Sequence, residues 1–307
     1  MKLAGVVVTY NRKYELEKNI ISIFSQTKLF DKLYIIDNNS DDGTYDYLKE
    51  KKYISNQMIT YIKLDENIGG AGGFYAGIKT VINDGYDIVC LMDDDGRAYN
   101  NDTIEHLVSH AEHLLLAGKD MLMLNSLVIY DDSNLSFGLG GITTINEAIK
   151  KAHNNEIINL INPFNGTIIS KKLVETIGYP NKDFFIRGDE VEYQKRAAMA
   201  GAYIATVVNS WYFHPTFELF SIKWLGRKVQ VGICPPWKSY YQIRNYVYRR
   251  KMYDGLFAAI REYIFQNYCA WKCNPEYSLC KPFMRKGFHD GIRGLLGARI
   301  KPGQTEL

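Results

Sequence analysis

Several features that would assign this sequence of 307 residues to other protein classes are absent from it. No apolar run approaches the roughly eighteen residues of a transmembrane helix. The N-terminal residues 1–9 are too short and too rich in β-branched side chains for a signal peptide, and they predict a first strand. The five cysteines are odd in number and irregularly spaced, which fits a reducing cytoplasm better than a disulfide framework. Neither a P-loop nor a serine nucleophile elbow occurs in the sequence.

Acidic residues are also absent between Leu219 and Tyr253, a stretch that contains eight lysines and arginines. Residues 219–307 hold 16 basic and 5 acidic residues, a net charge of +11, whereas residues 1–218 hold 21 and 29, a net charge of −8. The net charge of +3 for the whole chain conceals this asymmetry. We therefore predict a domain boundary after residue 218, between an acidic domain and a basic, aromatic-rich helical region over residues 219–307.

The acidic half alternates strand and helix patterns. Strands are expected at residues 6–9, 33–37, 59–64 and 86–92, and helices at residues 14–26, 44–51 and 73–83. This alternation predicts an α/β fold with a mostly parallel sheet flanked by helices. Ligands of such sheets bind beyond the carboxyl ends of the strands. Here those ends are rich in polar residues, which is typical of a nucleotide site.

The fourth predicted strand ends in three consecutive carboxylates, Asp93, Asp94 and Asp95, followed by Gly96. Three adjacent acids repel one another, so a cation normally compensates such a cluster. Because successive side chains of an extended segment point to opposite sides, Asp93 and Asp95 can face one point together. Two carboxylates on one face suit Mg²⁺ or Mn²⁺. The alternative is a solvated acidic loop without a ligand.

A glycine-rich segment over residues 67–73 follows the third predicted strand. Its four glycines could cradle a phosphate at a helix N-terminus. The spacing does not match the dinucleotide-binding fingerprint, because the last glycine of that motif would fall at Tyr75. We favour a tight loop whose backbone passes close to a sugar, followed by a helix from about Gly73.

Three other groups have a structural and a functional interpretation. His214 ends an aromatic segment, where it is either a packed histidine or a metal ligand. Asp189 and Glu190 begin an acidic helical pattern, where acids favour the helix dipole but are also placed for general-base work. A zinc site with irregular spacing could be formed by Cys269, Cys273, Cys280 and His289.

Four segments at the predicted strand ends form one set of motifs when they are considered jointly. They are Val-Val-Thr-Tyr-Asn-Arg at residues 7–12, Ile-Asp-Asn-Asn-Ser at 36–40, Glu-Asn-Ile-Gly-Gly-Ala-Gly-Gly at 66–73 and Leu-Met-Asp-Asp-Asp-Gly at 91–96. With them the chain resembles the family-two glycosyltransferases of the GT-A fold, and most of all their bacterial galactofuranosyltransferase and rhamnosyltransferase branch. The resemblance continues through residues 164–170, 184–193, 214 and 240–245, so it covers most of the chain.

The resemblance implies a metal-dependent enzyme that uses Mn²⁺ or Mg²⁺, with Asp93, Asp95 and His214 as the metal ligands. It also implies a nucleotide-sugar site in which Asp37 binds uracil or ribose and Arg12 contacts phosphate. The residues expected at that donor site are Thr9, Arg12, Asp37, Asn67, Gly69, Gly70, Asp93 and Asp94. Asn165 and Gly166 are expected near the acceptor.

The same resemblance assigns the general base to the second acid of the Asp189–Glu190 pair, which is Glu190. An acceptor hydroxyl activated there would attack opposite the leaving group and invert the anomeric centre. Many relatives have an aspartate at this place and an aromatic residue where Gly188 stands, so the choice between Asp189 and Glu190 stays open.

The C-terminal region interleaves basic residues with Trp224, Trp237, Tyr240, Tyr241, Tyr246, Tyr248 and Tyr253. No recognised nucleic-acid-binding fold accompanies this mixture, so we expect no nucleic-acid partner. Basic and aromatic residues together suit an anionic membrane surface, and the lipid-linked acceptor that the resemblance implies favours this interpretation. The remaining alternative is a helical cap or a subunit interface of a homo-oligomer.

The sequence therefore predicts an inverting glycosyltransferase. We expect it to transfer galactofuranose from UDP-galactofuranose to a glycan or lipid-linked glycan acceptor of a surface polysaccharide, in the cytoplasm at the inner face of the cell membrane. The alternative donor is dTDP-rhamnose. A catalytically inactive nucleotide-sugar-binding module would share the fold, but the intact carboxylates at residues 93–95 and 189–190 argue against it.

Overall fold

The computed structural model describes residues 1–216, 219–224 and 226–307. The chain groups into two compact units, one of residues 1–180 and 193–216 and one of residues 181–192 and 217–307. The predicted domain boundary after residue 218 falls outside the described residues, and the division into domains stays a prediction.

The first unit has the predicted alternation of strands and helices. Its strands are β1 (Leu3–Thr9), β2 (Lys32–Asp37), β3 (Ile59–Lys63), β4 (Ile88–Asp93), β5 (Arg97–Ala98), β6 (Leu122–Ile129), β7 (Asn134–Leu139), β8 (Ile142–Thr144), β9 (Glu156–Ile158), β10 (Thr167–Ser170) and β11 (Tyr203–Phe213). Its helices are α1 (Lys13–Phe24), α2 (Thr44–Glu50), α3 (Gly69–Asn83), α4 (Thr103–Leu116), α5 (Ile145–Lys151) and α6 (Lys171–Ile177). Helix α7 (Asp189–Met199) begins in the second unit and ends in the first.

These strands form one sheet with the order β3-β2-β1-β4-β10-β6-β11-β5, to which β7, β8 and β9 are added at the side. Strands β3, β2, β1 and β4 pair in parallel, and so do β6 and β11. Strand β10 is antiparallel to both of its neighbours. The predicted α/β fold with a mostly parallel sheet is therefore confirmed.

The central strands β1, β2 and β4 are buried on both faces of the sheet because they are largely apolar. In β1, Leu3 and Val7 join a core cluster with Leu16 and Ile20 of α1. Val6, the residue next to Val7, points to the opposite face, where its cluster includes Phe74 and Ile78 of α3 and Tyr193 of α7. Side chains that alternate between two cores are what a central parallel strand requires.

The glycine-rich segment forms part of a helix, so the prediction of a loop up to Gly73 was wrong. Helix α3 begins at Gly69. A Cβ added at Gly73 would lie 2.4 Å from Val8 Cγ1, and one at Gly77 would lie 2.5 Å from Val6 Cγ1. The close approach of α3 to β1 thus outweighs the poor helix propensity of glycine.

The second unit contains a hairpin and three helices. Its regular elements are a short 3₁₀ turn (Lys182–Phe184), strands β12 (Leu219–Trp224) and β13 (Arg227–Gly232), and helices α8 (Pro236–Asp254), α9 (Leu256–Cys273) and α10 (Tyr277–Arg293). Helix α8 packs against both α9 and α10. Gly287 of α10 lets the helices approach closely, since a Cβ there would lie 2.5 Å from the carbonyl oxygen of Tyr240.

The predicted helical character of the C-terminal region is confirmed, but part of the predicted aromatic and basic surface is core. Tyr240, Tyr241 and Arg244 of α8 are each fully buried. Arg250 pairs with Asp254 and Glu262 within the unit. These side chains therefore stabilise the packing of the helices and do not form part of a membrane-binding surface. Among the described residues, no helix is both long and apolar enough to cross a membrane.

Candidate active site

The carboxyl ends of the parallel strands place several predicted residues side by side. The register pairs Thr9 at the end of β1 with Asp37 at the end of β2, and Val8 with Asp93 at the end of β4. Beyond the last parallel strand pair, β11 pairs with the short strand β5 and ends immediately before His214. This topology brings residues that are far apart in sequence to one edge of the sheet.

Asp93, Asp95 and His214 form a cluster whose potential ligand atoms all lie within 4.8 Å of one another. The His214 Nε2 atom is 3.3 Å from an Asp95 carboxylate oxygen. Two carboxylates and one imidazole are a ligand set that fits Mn²⁺. The two carboxylates also suit Mg²⁺, which prefers oxygen ligands. In the part of the chain that the structure describes this is the one such cluster, and Cys269, Cys273, Cys280 and His289 are not brought together in another.

Burial and neighbouring groups act in opposite directions on the ionisation of Asp95 and His214. Burial opposes ionisation of Asp95, but the hydrogen bond and charge of His214, together with the charge of Arg12, lower the pKa of Asp95 to about 2. Burial likewise opposes the protonation of His214, and its contact with Asp95 outweighs this effect and raises the pKa of His214. A carboxylate that stays ionised in a buried site is suited to hold a cation.

Asp94 points to a different set of partners. Its carboxylate accepts a hydrogen bond of 2.8 Å from the Thr9 hydroxyl and lies 3.4 Å from the Arg12 guanidinium. Burial raises the pKa of Asp94 to about 6, although Arg12 and Thr9 oppose this shift. Arg12 also pairs directly with Asp95. The structure thus brings Thr9, Arg12, Asp94 and Asp95 together, and their roles in donor and metal binding stay predictions.

Asp37 is fully buried at the end of β2. One of its carboxylate oxygens accepts the backbone N–H of Ser40 at 2.7 Å, and the other accepts the hydroxyl of Tyr61. Tyr61 of β3 was not among the predicted site residues, although an aromatic residue on the strand next to β2 was a usable signal. The predicted contact of Asp37 with a nucleoside stays a prediction.

The predicted donor residues of the glycine-rich segment lie at the start of α3. The Asn67 side-chain oxygen accepts the Gly69 N–H at 2.9 Å and so shapes the entry to the helix. Gly69 has a φ of +76°, which favours glycine over residues with a side chain. A Cβ at Gly70 would meet nothing within 4 Å, so this position opens to free space.

Asn19 is a further residue that the sequence analysis missed. It is fully buried in α1, and its side-chain amide donates to the carbonyl oxygens of Asp93 at 3.2 Å and Gly96 at 2.6 Å. It therefore fixes the turn that presents the acidic cluster. An asparagine between the apolar residues Leu16 and Ile20 of the helical stripe was the signal for it.

Asn165 and Gly166 immediately precede β10. The Asn165 carbonyl oxygen accepts a hydrogen bond of 3.2 Å from the Asn125 side chain of the neighbouring strand β6. Gly166 has a φ of +63°, and a Cβ there would lie 2.7 Å from the Tyr212 ring. These contacts explain why glycine is required at residue 166. They leave the predicted acceptor role a prediction.

Asp189 and Glu190 belong to the second unit and begin helix α7. The Glu190 carboxylate accepts the backbone N–H of Gly188 at 2.9 Å, so it lies at the positive end of the helix. Asp189 is buried, whereas Glu190 is partly exposed. Gly188 has a φ of +88° and a Cβ there would lie 3.3 Å from the Tyr246 ring, which explains the glycine at this position.

Comparison with known proteins identifies the family. The sequence profile described as glycosyl transferase family 2 matches residues 6–165, just over half of the chain. The chain belongs to glycosyl transferase family 2. It is 32% identical over 248 residues to the galactofuranosyltransferase GlfT1 of Mycobacterium tuberculosis, which covers 78% of this chain and 79% of that protein. The predicted family and the predicted glycosyltransferase activity are thereby confirmed.

Other comparisons agree with this family assignment. The chain is 24% identical over 300 residues to the dTDP-rhamnosyl transferase RfbF of Shigella flexneri, which covers 95% of this chain and 96% of that protein. The crystal structure of GalNAc-T7 with UDP, GalNAc and Mn²⁺ superposes with a TM-score of 0.58 at 12% identity and covers 95% of this chain and 56% of that one. This structural likeness confirms the GT-A fold.

Proposed function

We propose that this protein is an inverting, metal-dependent glycosyltransferase that transfers galactofuranose from UDP-galactofuranose. The observation that carries the proposal is the cluster of Asp93, Asp95 and His214 at the sheet edge of a family-two fold. The choice of sugar is supported by the 32% identity to a galactofuranosyltransferase. The acceptor we propose is a glycan or lipid-linked glycan of a surface polysaccharide.

Asp93, Asp95 and His214 would hold Mn²⁺ or Mg²⁺ in this enzyme. An ion held there would neutralise the charge that develops on the departing diphosphate. Arg12, which is about half exposed beside Asp94 and Asp95, would supply a second positive group to the same phosphates. The manganese ion in the GalNAc-T7 structure supports this ion type for the fold.

Within the proposed donor site, Asp37 would bind the uridine part and Asn67, Gly69 and Gly70 would face the diphosphate or the sugar. The open space next to Gly70 supports this role, because a backbone without a side chain allows a ligand to approach closely. UDP in the GalNAc-T7 structure supports a uridine donor.

The proposed general base is Glu190, with Asp189 as the alternative member of the pair. A carboxylate that takes the proton of the acceptor hydroxyl activates it for attack on the anomeric carbon from the side opposite the diphosphate. Such an in-line displacement inverts the anomeric configuration. Asn165 and Gly166 would line the acceptor.

A rhamnosyltransferase that uses dTDP-rhamnose is the second candidate, because the resemblance to RfbF extends over 95% of the chain. Hydrolysis of a panel of nucleotide sugars with Mn²⁺ present distinguishes the two. We expect UDP-galactofuranose to be consumed and dTDP-rhamnose to remain. Consumption of dTDP-rhamnose alone would replace the first proposal by the second, and no consumption of any donor would indicate an inactive binding module.

The proposed location is the inner face of the cell membrane, reached through the second unit. Helix α9 has an outer apolar stripe whose members lie on one helical face and are all exposed: Leu256, Phe257, Ile260, Ile264 and Trp271. Arg261 and Lys272 are exposed beside this stripe, and the Lys272 ammonium lies 4.3 Å from the centre of the Trp271 ring.

Helix α10 adds a basic row to this surface. Lys281, Arg285, His289 and Arg293 recur every fourth residue and are exposed. The stacked rings of Tyr263 and Phe288 join α10 to α9. An apolar stripe next to a basic row fits an anionic bilayer, in which the apolar side chains enter the acyl boundary and the cations meet the headgroups.

A further inference from the structure

Two polar residues in the middle of α8 have no role in the site described above. Arg244 and Asn245 are both fully buried, which is unusual for an arginine without an ion pair. Burial lowers the pKa of Arg244. Among the described residues no carboxylate lies within ion-pair distance of its guanidinium, so its burial is not compensated by a salt bridge. An apolar side chain would stabilise a helix core at lower cost. The hydrogen bonds that Arg244 and Asn245 make therefore indicate their role.

The guanidinium of Arg244 binds backbone carbonyl groups. One terminal nitrogen donates to the carbonyl oxygens of Asp183 at 3.1 Å and Phe184 at 2.7 Å. The other donates to the carbonyl oxygen of Gly297 at 2.6 Å. The Nε–H donates to the Asn245 side-chain oxygen at 2.8 Å, which couples the two residues and orients the Asn245 amide.

The Asn245 amide nitrogen lies within hydrogen-bonding distance of three carbonyl oxygens of the same segment. They belong to Phe184 at 3.0 Å, Ile186 at 2.9 Å and Arg187 at 2.7 Å. Two consecutive residues of one helix thus bind nearly every carbonyl group between residues 183 and 187. Only Gly188 separates this segment from Asp189 and Glu190.

The segment that they bind has an unfavourable backbone conformation. Phe185, Arg187 and Gly188 have φ values of 64°, 66° and 88°. For residues with a side chain this left-handed region costs about 1–3 kcal/mol each, and it persists only where surrounding contacts fix it. The hydrogen bonds from Arg244 and Asn245 to the carbonyl groups of this segment are such contacts.

We propose that Arg244 and Asn245 are positioning residues that hold residues 183–188 and thereby fix the carboxylates of Asp189 and Glu190 for catalysis. The link to the proposed base is direct, since the N–H of Gly188 donates to the Glu190 carboxylate at 2.9 Å. The proposal rests on the general base assigned in the proposed function. It assigns a role to the segment Tyr-Tyr-Gln-Ile-Arg-Asn at residues 240–245 that packing alone does not explain.

The first test compares Asn245→Ala with Val247→Ala. Val247 is also fully buried in α8 and packs in an apolar cluster with Ile243 and Met284, away from the held segment. Both variants should lower the melting temperature. Only Asn245→Ala should increase hydrogen exchange in a peptide over residues 183–190, and only it should lower kcat, by about 100-fold because small misplacements of reacting groups have effects of that size. The dissociation constant for UDP should stay within about threefold, since the change acts on the base and not on the donor.

The second test is a double-mutant cycle with Glu190→Gln. If both residues act through the same base, Asn245→Ala should lower kcat little further in the Glu190→Gln background. Unchanged exchange over residues 183–190, or an equal loss of kcat in Val247→Ala, would overturn the positioning role. If Glu190→Gln and Asp189→Asn both keep the wild-type kcat, the base assignment is wrong, and the exchange measurement still decides whether the segment is held by Asn245.

Discussion

Asp95 is contacted by the Arg12 guanidinium and by the His214 imidazole, and it belongs to the cluster of potential metal ligands. Asp95→Ala should abolish transfer and weaken Mn²⁺ binding, because a hard oxygen ligand is lost. Excess chelator should have the same effect on the unchanged protein, with recovery on addition of Mn²⁺ or Mg²⁺. Calorimetric titration with Mn²⁺ and a transfer assay measure the two effects.

A matched control for this variant is Asp102→Ala, which removes a half-exposed carboxylate that lies outside the cluster. It should leave both Mn²⁺ binding and transfer unchanged. Full activity of the natural protein in excess chelator would contradict the metal role, and it would indicate a family member that works without a divalent ion.

Glu190→Gln separates proton transfer from local structure. The glutamine oxygen can still accept the Gly188 N–H, so the start of α7 should be retained while the proton acceptor is lost. We expect kcat to fall by about 10²–10⁴-fold with little change in donor affinity. The measurement is initial rate at saturating donor, with UDP affinity determined separately.

Glu192→Gln on the same helix is the control for Glu190→Gln. Its carboxylate accepts the Tyr253 hydroxyl at 2.7 Å, a contact that glutamine can keep, and kcat should change by less than about threefold. If Asp189→Asn is inactive while Glu190→Gln is active, the base is Asp189. Normal rates in both variants would leave the pair with a purely structural role at the helix start.

Candidate site residues could be chosen from the sequence where their spacing along the chain indicates a shared function. Asp93 and Asp95 are on alternate positions of a strand end, and His214 became a candidate ligand through the family resemblance. The hydrogen bonds of Asn19 to the acidic turn were not predictable, because they depend on where α1 passes the turn between β4 and β5. The burial of Arg244 was not predictable either, since composition does not reveal which side of a helix faces the core.

At the level of elements, the glycines of α3 divide into those that pack and those that border open space. Gly73→Ala places a methyl group 2.4 Å from Val8 Cγ1 on a stiff β-branched side chain of the core. We expect a loss of about 1–3 kcal/mol in the free energy of unfolding, reduced by the better helix propensity of alanine. Urea denaturation measures this loss.

Gly70→Ala is the counterpart in the same helix. Nothing lies within 4 Å of the added Cβ, so the variant should be as stable as the natural protein or more stable by up to about 1 kcal/mol. If Gly70 faces the donor, UDP should bind less tightly to this variant. Unchanged UDP affinity would remove Gly70 from the donor site and leave α3 with a packing role only.

These glycines also show why the start of α3 was not predicted. Local propensity favours a loop wherever four glycines occur in seven residues. It does not account for the packing of a helix against a strand. The first-turn position of Gly69 and the contacts at Gly73 become clear only once β1 is placed beneath the helix. The first four strands were predictable because they are rich in apolar and β-branched residues, whereas β5 to β13 were not predicted.

At the scale of the whole molecule, the net charge of +11 in residues 219–307 favoured a membrane-binding surface but did not indicate which residues form it. Arg249, Arg250 and Lys251 are three consecutive cations in this region. Arg250 pairs with Asp254 and Glu262, and the Lys251 ammonium donates to the Ile292 carbonyl oxygen at 2.7 Å. Charge reversal at these positions would disturb the fold of the second unit, so a test of membrane binding must use α9 and α10.

The variant Phe257→Ser/Ile264→Ser removes two exposed members of the α9 stripe, which are 80% and 54% accessible. It should weaken binding to anionic liposomes by at least about tenfold, because each buried large apolar side chain contributes roughly 1.5–3 kcal/mol. Leu116→Ser, a change at a leucine that is 90% accessible in the first unit, should leave binding unchanged.

The basic row of α10 supplies the electrostatic half of the same prediction. Lys281→Glu/Arg285→Glu should weaken liposome binding further, since each cation near an anionic surface contributes about 1 kcal/mol. Raising the salt concentration should weaken binding of the natural protein in the same way, because the surface potential is screened. Hydrolysis of the donor should survive in these variants, as the proposed donor residues lie in the first unit. Cosedimentation with liposomes at low and high salt measures the effect. If the natural protein does not bind liposomes at low salt and the serine variant shifts its sedimentation from dimer to monomer, the α9 stripe is a subunit interface and not a membrane surface.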